Sequence, residues 1–106
     1  MKRDIFQAIA DPTRRAILVL IAAQAMTPNA IADRFDISRQ ATSKHIGILN
    51  ECGLIDATRS GREIHYRLKL EKMQEIDAWL EQFRKLWKQR YNQLDELISG
   101  LKGENT

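Results

Sequence analysis

Apolar residues recur along most of the chain at spacings of three and four, and short polar stretches with helix-start signals separate the runs. Asp4 to Ala10 is predicted as a short helix with Ile5, Phe6 and Ile9 on one face. Asp11-Pro12 then opens a second helix, since an Asp side chain accepts from orphan amides and Pro at the first helical position gives up no hydrogen bond. That helix, Thr13 to Gln24, carries Ile17, Leu18 and Ile21 at core spacing. Thr27-Pro28 repeats the signal and starts a third short helix through Phe35, with Ile31, Ala32 and Phe35 inward. After a tight connection at Asp36-Ile37, Ser38 caps a fourth helix, Arg39 to Glu51. Its buried stripe is expected to be Thr42, His45 or Ile46, and Leu49. It ends at Cys52-Gly53-Leu54, where Gly takes the left-handed cap position and Leu54 supplies the hydrophobic contact.

The period then changes. Glu63 to Leu70 alternates polar and apolar without exception, the pattern of a half-buried strand. Leu54 to Thr58 is its expected partner and Arg59-Ser60-Gly61-Arg62 the turn, with Gly61 supplying positive φ. A β-hairpin with a basic tip results. The remainder reads as one long helix, in which Met73, Ile76, Leu80, Phe83, Trp87, Tyr91, Leu94, Ile98 and Leu101 step by three or four. From Met73 to Leu101 it would span about 43 Å at 1.5 Å per residue. A 106-residue domain is only about 30 Å across, so this helix cannot bury its whole stripe on its own globule. Trp79 and Leu86 widen the apolar face, and a partner chain is the simplest cover.

These elements make a mostly α chain with a small β-hairpin. A single domain over 1–106 is expected, with a helix-turn-helix at about 27–52, a wing at about 54–70 and a C-terminal dimerisation helix at about 71–101. The arrangement is that of a winged helix-turn-helix. A recognition helix enters the major groove with its N-terminal turns leading, so hydrogen-bonding side chains belong there. Ser38, Arg39, Gln40, Thr42, Ser43, Lys44 and His45 are the candidate DNA-binding residues of the fourth helix. Arg59 and Arg62 on the hairpin tip are placed at phosphates or an adjacent minor groove. Arg14 and Arg15 oppose the dipole of the helix they begin, which hints at an outside partner, again phosphate. Ile76, Trp79, Leu80, Phe83, Trp87 and Tyr91 of the long helix are the candidate dimer interface.

Charge supports an anionic partner for the first part of the chain. Residues 1–70 carry 11 Lys/Arg against 7 Asp/Glu, whereas residues 71–106 carry 6 against 7. The longest apolar run, Ala16 to Ala23, is eight residues, too short to span a bilayer. Met1-Lys2-Arg3-Asp4 leads straight into amphipathic sequence, so no signal peptide is expected. The single Cys52 excludes an intrachain disulfide and a Cys-cluster metal site, and a reducing cytoplasm is the expected location.

Four stretches carry a resemblance to a known family over roughly residues 5–95. They are Phe6-Gln7-Ala8-Ile9-Ala10-Asp11-Pro12-Thr13-Arg14-Arg15, Ile31-Ala32-Asp33-Arg34-Phe35-Asp36-Ile37-Ser38, Ser43 through Ile55, and Gly61-Arg62-Glu63-Ile64-His65-Tyr66-Arg67-Leu68. The chain resembles the ArsR family of small bacterial winged-helix repressors. The resemblance implies a homodimer built through the first and last helices, which adds Phe6 and Ile9 to the candidate dimer interface. It also implies binding to a palindromic double-stranded DNA operator, repressing transcription until an inducer acts. The metal-sensing branch places Cys-x-Cys on the recognition helix, or Asp and His ligands on the last helix, and neither is present.

Other chemistries are weaker. Cys52, His45 and His65 are scattered soft ligands of a kind that rarely converges, and Cys52 suits a small core filler. No metal and no cofactor is therefore expected. No Gly-rich phosphate loop, His-Glu-x-x-His pair or nucleophile elbow is present, so the chain does not read as an enzyme. Glu71, Glu75 and Asp77 complement the dipole at a helix start, and Glu81 with Lys85 forms an i,i+4 pair on a solvated face. The Trp79, Phe83, Trp87, Tyr91 stripe could line the pocket of an unknown small-molecule inducer, but dimer core is the favoured reading. Three alternatives to a metal-independent repressor remain: a winged-helix module that binds protein, and a metal- or small-molecule-sensing repressor with an atypical site. Basic residues at both helix start and wing tip argue against the protein-binding module.

Overall fold

A computed structural model of the chain describes residues 3–104, with side chains through Leu101. Met1 and Lys2, on which part of the N-terminal reading rests, lie outside the described residues. The order is α1 (Ile5–Ala8), α2 (Pro12–Ala23), α3 (Pro28–Phe35), α4 (Arg39–Glu51), β1 (Ile55–Ser60), β2 (Glu63–Leu68) and α5 (Leu70–Glu104). The chain divides into two compact units, one ending at Glu75 and one beginning at Ile76.

The starts of α1 to α4 each have a side-chain cap in place. Asp4 and Gln7 form a reciprocal capping box, at 2.8 and 2.9 Å. Asp11 accepts from the Arg14 amide, Thr27 from Ala30 and Ser38 from Ala41. α1 is shorter than its apolar spacing suggests, a single turn that buries Ile5 and Ala8. Phe6 is exposed and Ile9, now the C-cap, is half-buried, so Ile5, Phe6 and Ile9 do not share a buried face. Between α3 and α4 the backbone turns at Asp36, which takes the left-handed conformation (φ 52°) while the Ile37 amide bonds the Ala32 carbonyl at 3.2 Å.

The core gathers Ile17, Leu18 and Ile21 of α2, Ile31 and Ala32 of α3, and Thr42, Ile46, Ile48 and Leu49 of α4. Gly53 adopts φ 75° and the Leu54 amide reaches back to Leu49 at 3.0 Å, which turns Leu54 and Ile55 into the same core. Of the two candidates for the middle of the α4 stripe, Ile46 is buried and His45 half-buried.

The hairpin pairs further toward its tip and is less buried than the alternation suggests, and β2 stops at Leu68 rather than Leu70 because Leu70 already opens α5. β1 and β2 pair antiparallel from Ile55↔Leu68 to Ser60↔Glu63, so Arg59 and Ser60 are strand residues and the loop is only Gly61-Arg62. Gly61 has φ 64° and Arg62 does not share the positive sign, as in a type II′ turn with Gly first. Ile64 is exposed and His65 and Tyr66, on opposite faces, are both half-buried, because the outer rungs have little to pack against. The hairpin is tied to the helices by an isolated bridge in which Tyr66 and Met26 exchange backbone hydrogen bonds at 2.8 and 3.0 Å.

α5 is a continuous 35-residue helix, extending past both expected ends. Beyond Ile76, Trp79 and Phe83 meet edge to face at 5.0 Å, and Arg84 binds Asp77 and Glu81. Glu81 therefore takes Arg84 rather than the expected Lys85. Phe83, Trp87, Tyr91, Leu94, Leu97, Ile98 and Leu101 are all exposed. Among the described residues no helix is long and apolar enough to cross a membrane.

Leu49 has no exposed surface, whereas Val19 is 73% exposed. Leu49→Ala is expected to lower stability by about 2–5 kcal/mol, and Val19→Ala to stay within about 0.5 kcal/mol. Urea unfolding at one fixed protein concentration measures both.

Candidate nucleic-acid interface

α4 carries two opposite surfaces. Arg39, Gln40, Ser43 and Lys44 are exposed, and Gly47 and Asn50 continue the same face one and two turns further on. Neither Gly47 nor Asn50 was singled out by residue type, because neither is basic and both lie beyond the leading turns. Gly47 has open space where a Cβ would stand. Ser38 is exposed at the N-cap, and its Oγ accepts the Ala41 amide at 3.0 Å.

Thr42 is a correction. It has no exposed surface, and its Oγ1 donates to the Ser38 carbonyl at 2.9 Å. A hydroxyl bonded to the preceding turn and sealed in the core cannot meet a base, so Thr42 belongs to the buried stripe alone.

Arg39, Lys44, Arg59 and Arg62 are exposed, and none forms an ion pair among the described residues. The contrast with other cations is direct. Arg67 is held by Asp56 at 2.8 Å, Lys72 by Glu75 at 3.2 Å and Arg3 by Glu51 at 3.6 Å. These four, with Arg34 and Lys69 of the same compact unit, lack an ion-pair partner among the described residues, a surplus of positive charge that favours a polyanion.

The arginines that open α2 answer to an internal partner, which corrects the expectation of an outside one. Arg15 Nη1 donates to the carbonyls of Ile9 and Ala10 at 2.7 and 3.2 Å. Arg14 Nε and Nη2 donate to Ala8 and Gln7 at 2.6 and 3.2 Å, and Nη1 reaches His45 Nδ1 at 3.4 Å. Both guanidinium groups cap the carbonyl end of α1, where cations are favourable. Their cost at the start of α2 is offset there. Nothing in the local pattern marks this, since the acceptors are backbone carbonyls up to seven residues upstream. Arg15 remains exposed and Arg14 is half-buried. Asp11, beside them, is held below the usual carboxylate range, first by the Arg14 amide it accepts from and further by the Arg14 charge.

Cys52 is buried, and its thiol donates to the Arg3 carbonyl at 3.1 Å. Burial pushes the thiol pKa up, with Glu51 adding to the shift, so the thiolate is disfavoured. An open groove of about 320 Å³ lies beside it, but the charges on its rim are already engaged, Arg3 with Glu51, Lys72 with Glu75 and Asp4 with the Gln7 amide. Among the described residues no three His, Cys, Asp or Glu side chains gather as a metal would require. His65 lies instead against Glu63, at 3.7 Å.

Of the residues expected at a dimer contact, Phe6 of α1 is exposed and Ile9 half-buried. In α5, Ile76 and Leu80 are half-buried, and Trp79, Phe83, Trp87 and Tyr91 are exposed.

Comparison with known proteins agrees with this geometry. A helix-turn-helix domain family matches residues 9–57. The chain is 39% identical over 80 residues to the transcriptional repressor SdpR of Bacillus subtilis, covering 76% of this chain and 89% of that protein. An ArsR-like transcriptional regulator from Rhodococcus superposes with a TM-score of 0.68 at 31% identity, over 88% of each chain. A homodimeric winged helix-turn-helix DNA-binding domain from Mycobacterium bovis superposes with a TM-score of 0.61 at 26% identity, over 74% of this chain and 73% of that one.

Proposed function

The chain belongs to the ArsR family of DNA-binding transcriptional regulators, and on that footing we propose that it is a cytoplasmic homodimeric repressor of a palindromic operator. The observation that carries the reading is the exposed polar start of α4 with four cations, on helix and wing, that lack an internal counter-charge. Lys44, Arg59 and Arg62 contact phosphates and set affinity. Arg39, Gln40 and Ser43 read base edges, Arg39 suiting guanine and Gln40 adenine through bidentate geometry. Release does not depend on a metal in this reading, which rests on the sequence: α4 holds no Cys-x-Cys pair, and residues 71–106 hold no histidine or cysteine.

The second copy covers the apolar face of α5. Phe83, Trp87, Tyr91 and Leu94 repeat at helical spacing and are exposed in one chain. Likeness to a homodimeric winged-helix domain supports the same assembly here. Two-fold symmetry then sets two α4 helices at successive major grooves, about 34 Å apart.

Selection of duplexes from a random pool is expected to return an inverted repeat with half-sites about one helical turn apart. The same site should be recovered with and without zinc. Recovery of unrelated sequences would remove the operator reading.

Lys44→Ala and Arg62→Ala are each expected to weaken binding to all sequences alike. Each should reduce the slope of log affinity against log salt by about one per half-site. Unchanged slopes in both variants would take these side chains off the phosphates.

Phe83→Asp places a charge on the covered face. Sedimentation at micromolar concentration is expected to give a dimer for the parent and a monomer for the variant. Operator affinity should fall with it, although no DNA-facing residue has changed.

A further inference from the structure

Three donors of one guanidinium leave Arg14 in different directions. Nε and Nη2 hold the Ala8 and Gln7 carbonyls at the end of α1, and Nη1 faces His45 Nδ1 on α4. A guanidinium only donates and stays protonated throughout the working pH range. Nδ1 must therefore be the accepting nitrogen, which leaves the ring proton of neutral His45 on Nε2. His45 is half-buried and adjoins exposed Lys44, on the shoulder of α4 rather than on its leading face.

From this contact, we infer that His45 donates its Nε2–H to a DNA phosphate and that Arg14 is the positioning residue that fixes the ring for it. The inference rests on α4 being the recognition helix. It gives Arg14 a role different from a phosphate contact: the arginine acts through His45 and never touches the nucleic acid. A side chain anchored to two carbonyls of α1 thereby sets the donor geometry of α4. A neutral N–H displaces no counterion, so its loss lowers affinity without altering the salt dependence.

The test uses the full-length chain and the duplex recovered from a random pool. Arg14→Ala and His45→Ala are each expected to weaken binding by about ten- to a hundredfold per half-site, the size of one hydrogen bond to a charged acceptor. Both should leave the slope of log affinity against log salt at the parent value, unlike Lys44→Ala. In the His45→Ala background, Arg14→Ala should cost little further affinity, while thermal unfolding still reports the lost carbonyl contacts. Ring ¹⁵N spectra of the free protein should show His45 with the proton on Nε2, and a weaker bias towards that form in Arg14→Ala. Three results would overturn the inference: a slope reduced by about one in Arg14→Ala, equal Arg14→Ala penalties with His45 present or absent, or an Nδ1-protonated ring. A parent chain that captures no duplex would overturn the DNA-binding reading as well, and so is distinguishable from these.

Discussion

The polar face of α4 depends on the burial of the opposite one. Thr42, Ile46 and Leu49 lie along one side of the helix and are sealed against the rest of the core. A helix turns by about 100° per residue, so a slip of one position in this packing would carry Arg39, Gln40 and Ser43 well off their present direction. The Thr42 hydroxyl stays in that core because it bonds the Ser38 carbonyl, and Ser38 also caps the helix. The start of the candidate recognition helix is thus linked to its orientation through Ser38 and Thr42. Ile31 of α3 and Leu54 after Gly53 complete the enclosure.

The elements of the fold are legible in the sequence wherever the signal is local. Asp11-Pro12, Thr27-Pro28 and Ser38 mark helix starts by chemistry that acts within three residues, and each cap is present. Gly53 and Gly61 are likewise recognisable because only a few residue types accept their backbone angles. What was not legible depends on residues far apart. The Met26–Tyr66 bridge joins an interhelical connection to the hairpin, and period alone carries no trace of it. The Arg14–His45 contact spans 31 positions, and alternation in β2 says which residues share a face but not whether anything covers that face.

The same limit applies to charge. A cluster of basic residues in sequence does not distinguish cations held by neighbours from cations left over. Arg14 and Arg15 look like candidates for an external anion, but α1 provides their acceptors. Arg39, Lys44, Arg59 and Arg62 have no such internal answer among the described residues. The separation is physical: the carbonyl end of a helix absorbs the first pair, and solvent alone meets the second group. Specific recognition then has a smaller set of side chains to work with than composition implies, and a better positioned one.

The two-residue loop at Gly61-Arg62 also constrains how this protein family member can change its reach. Arg59 and Ile64 are directly opposed in the ladder, as are Ser60 and Glu63. Adding one residue to each strand would turn every side chain beyond the insertion to the other face of the hairpin. Adding two to each strand preserves the facing and lengthens the wing by about 7 Å. The arm is therefore adjustable only in steps, and its basic tip can be carried outward over evolution without being turned away, provided that the steps come in pairs.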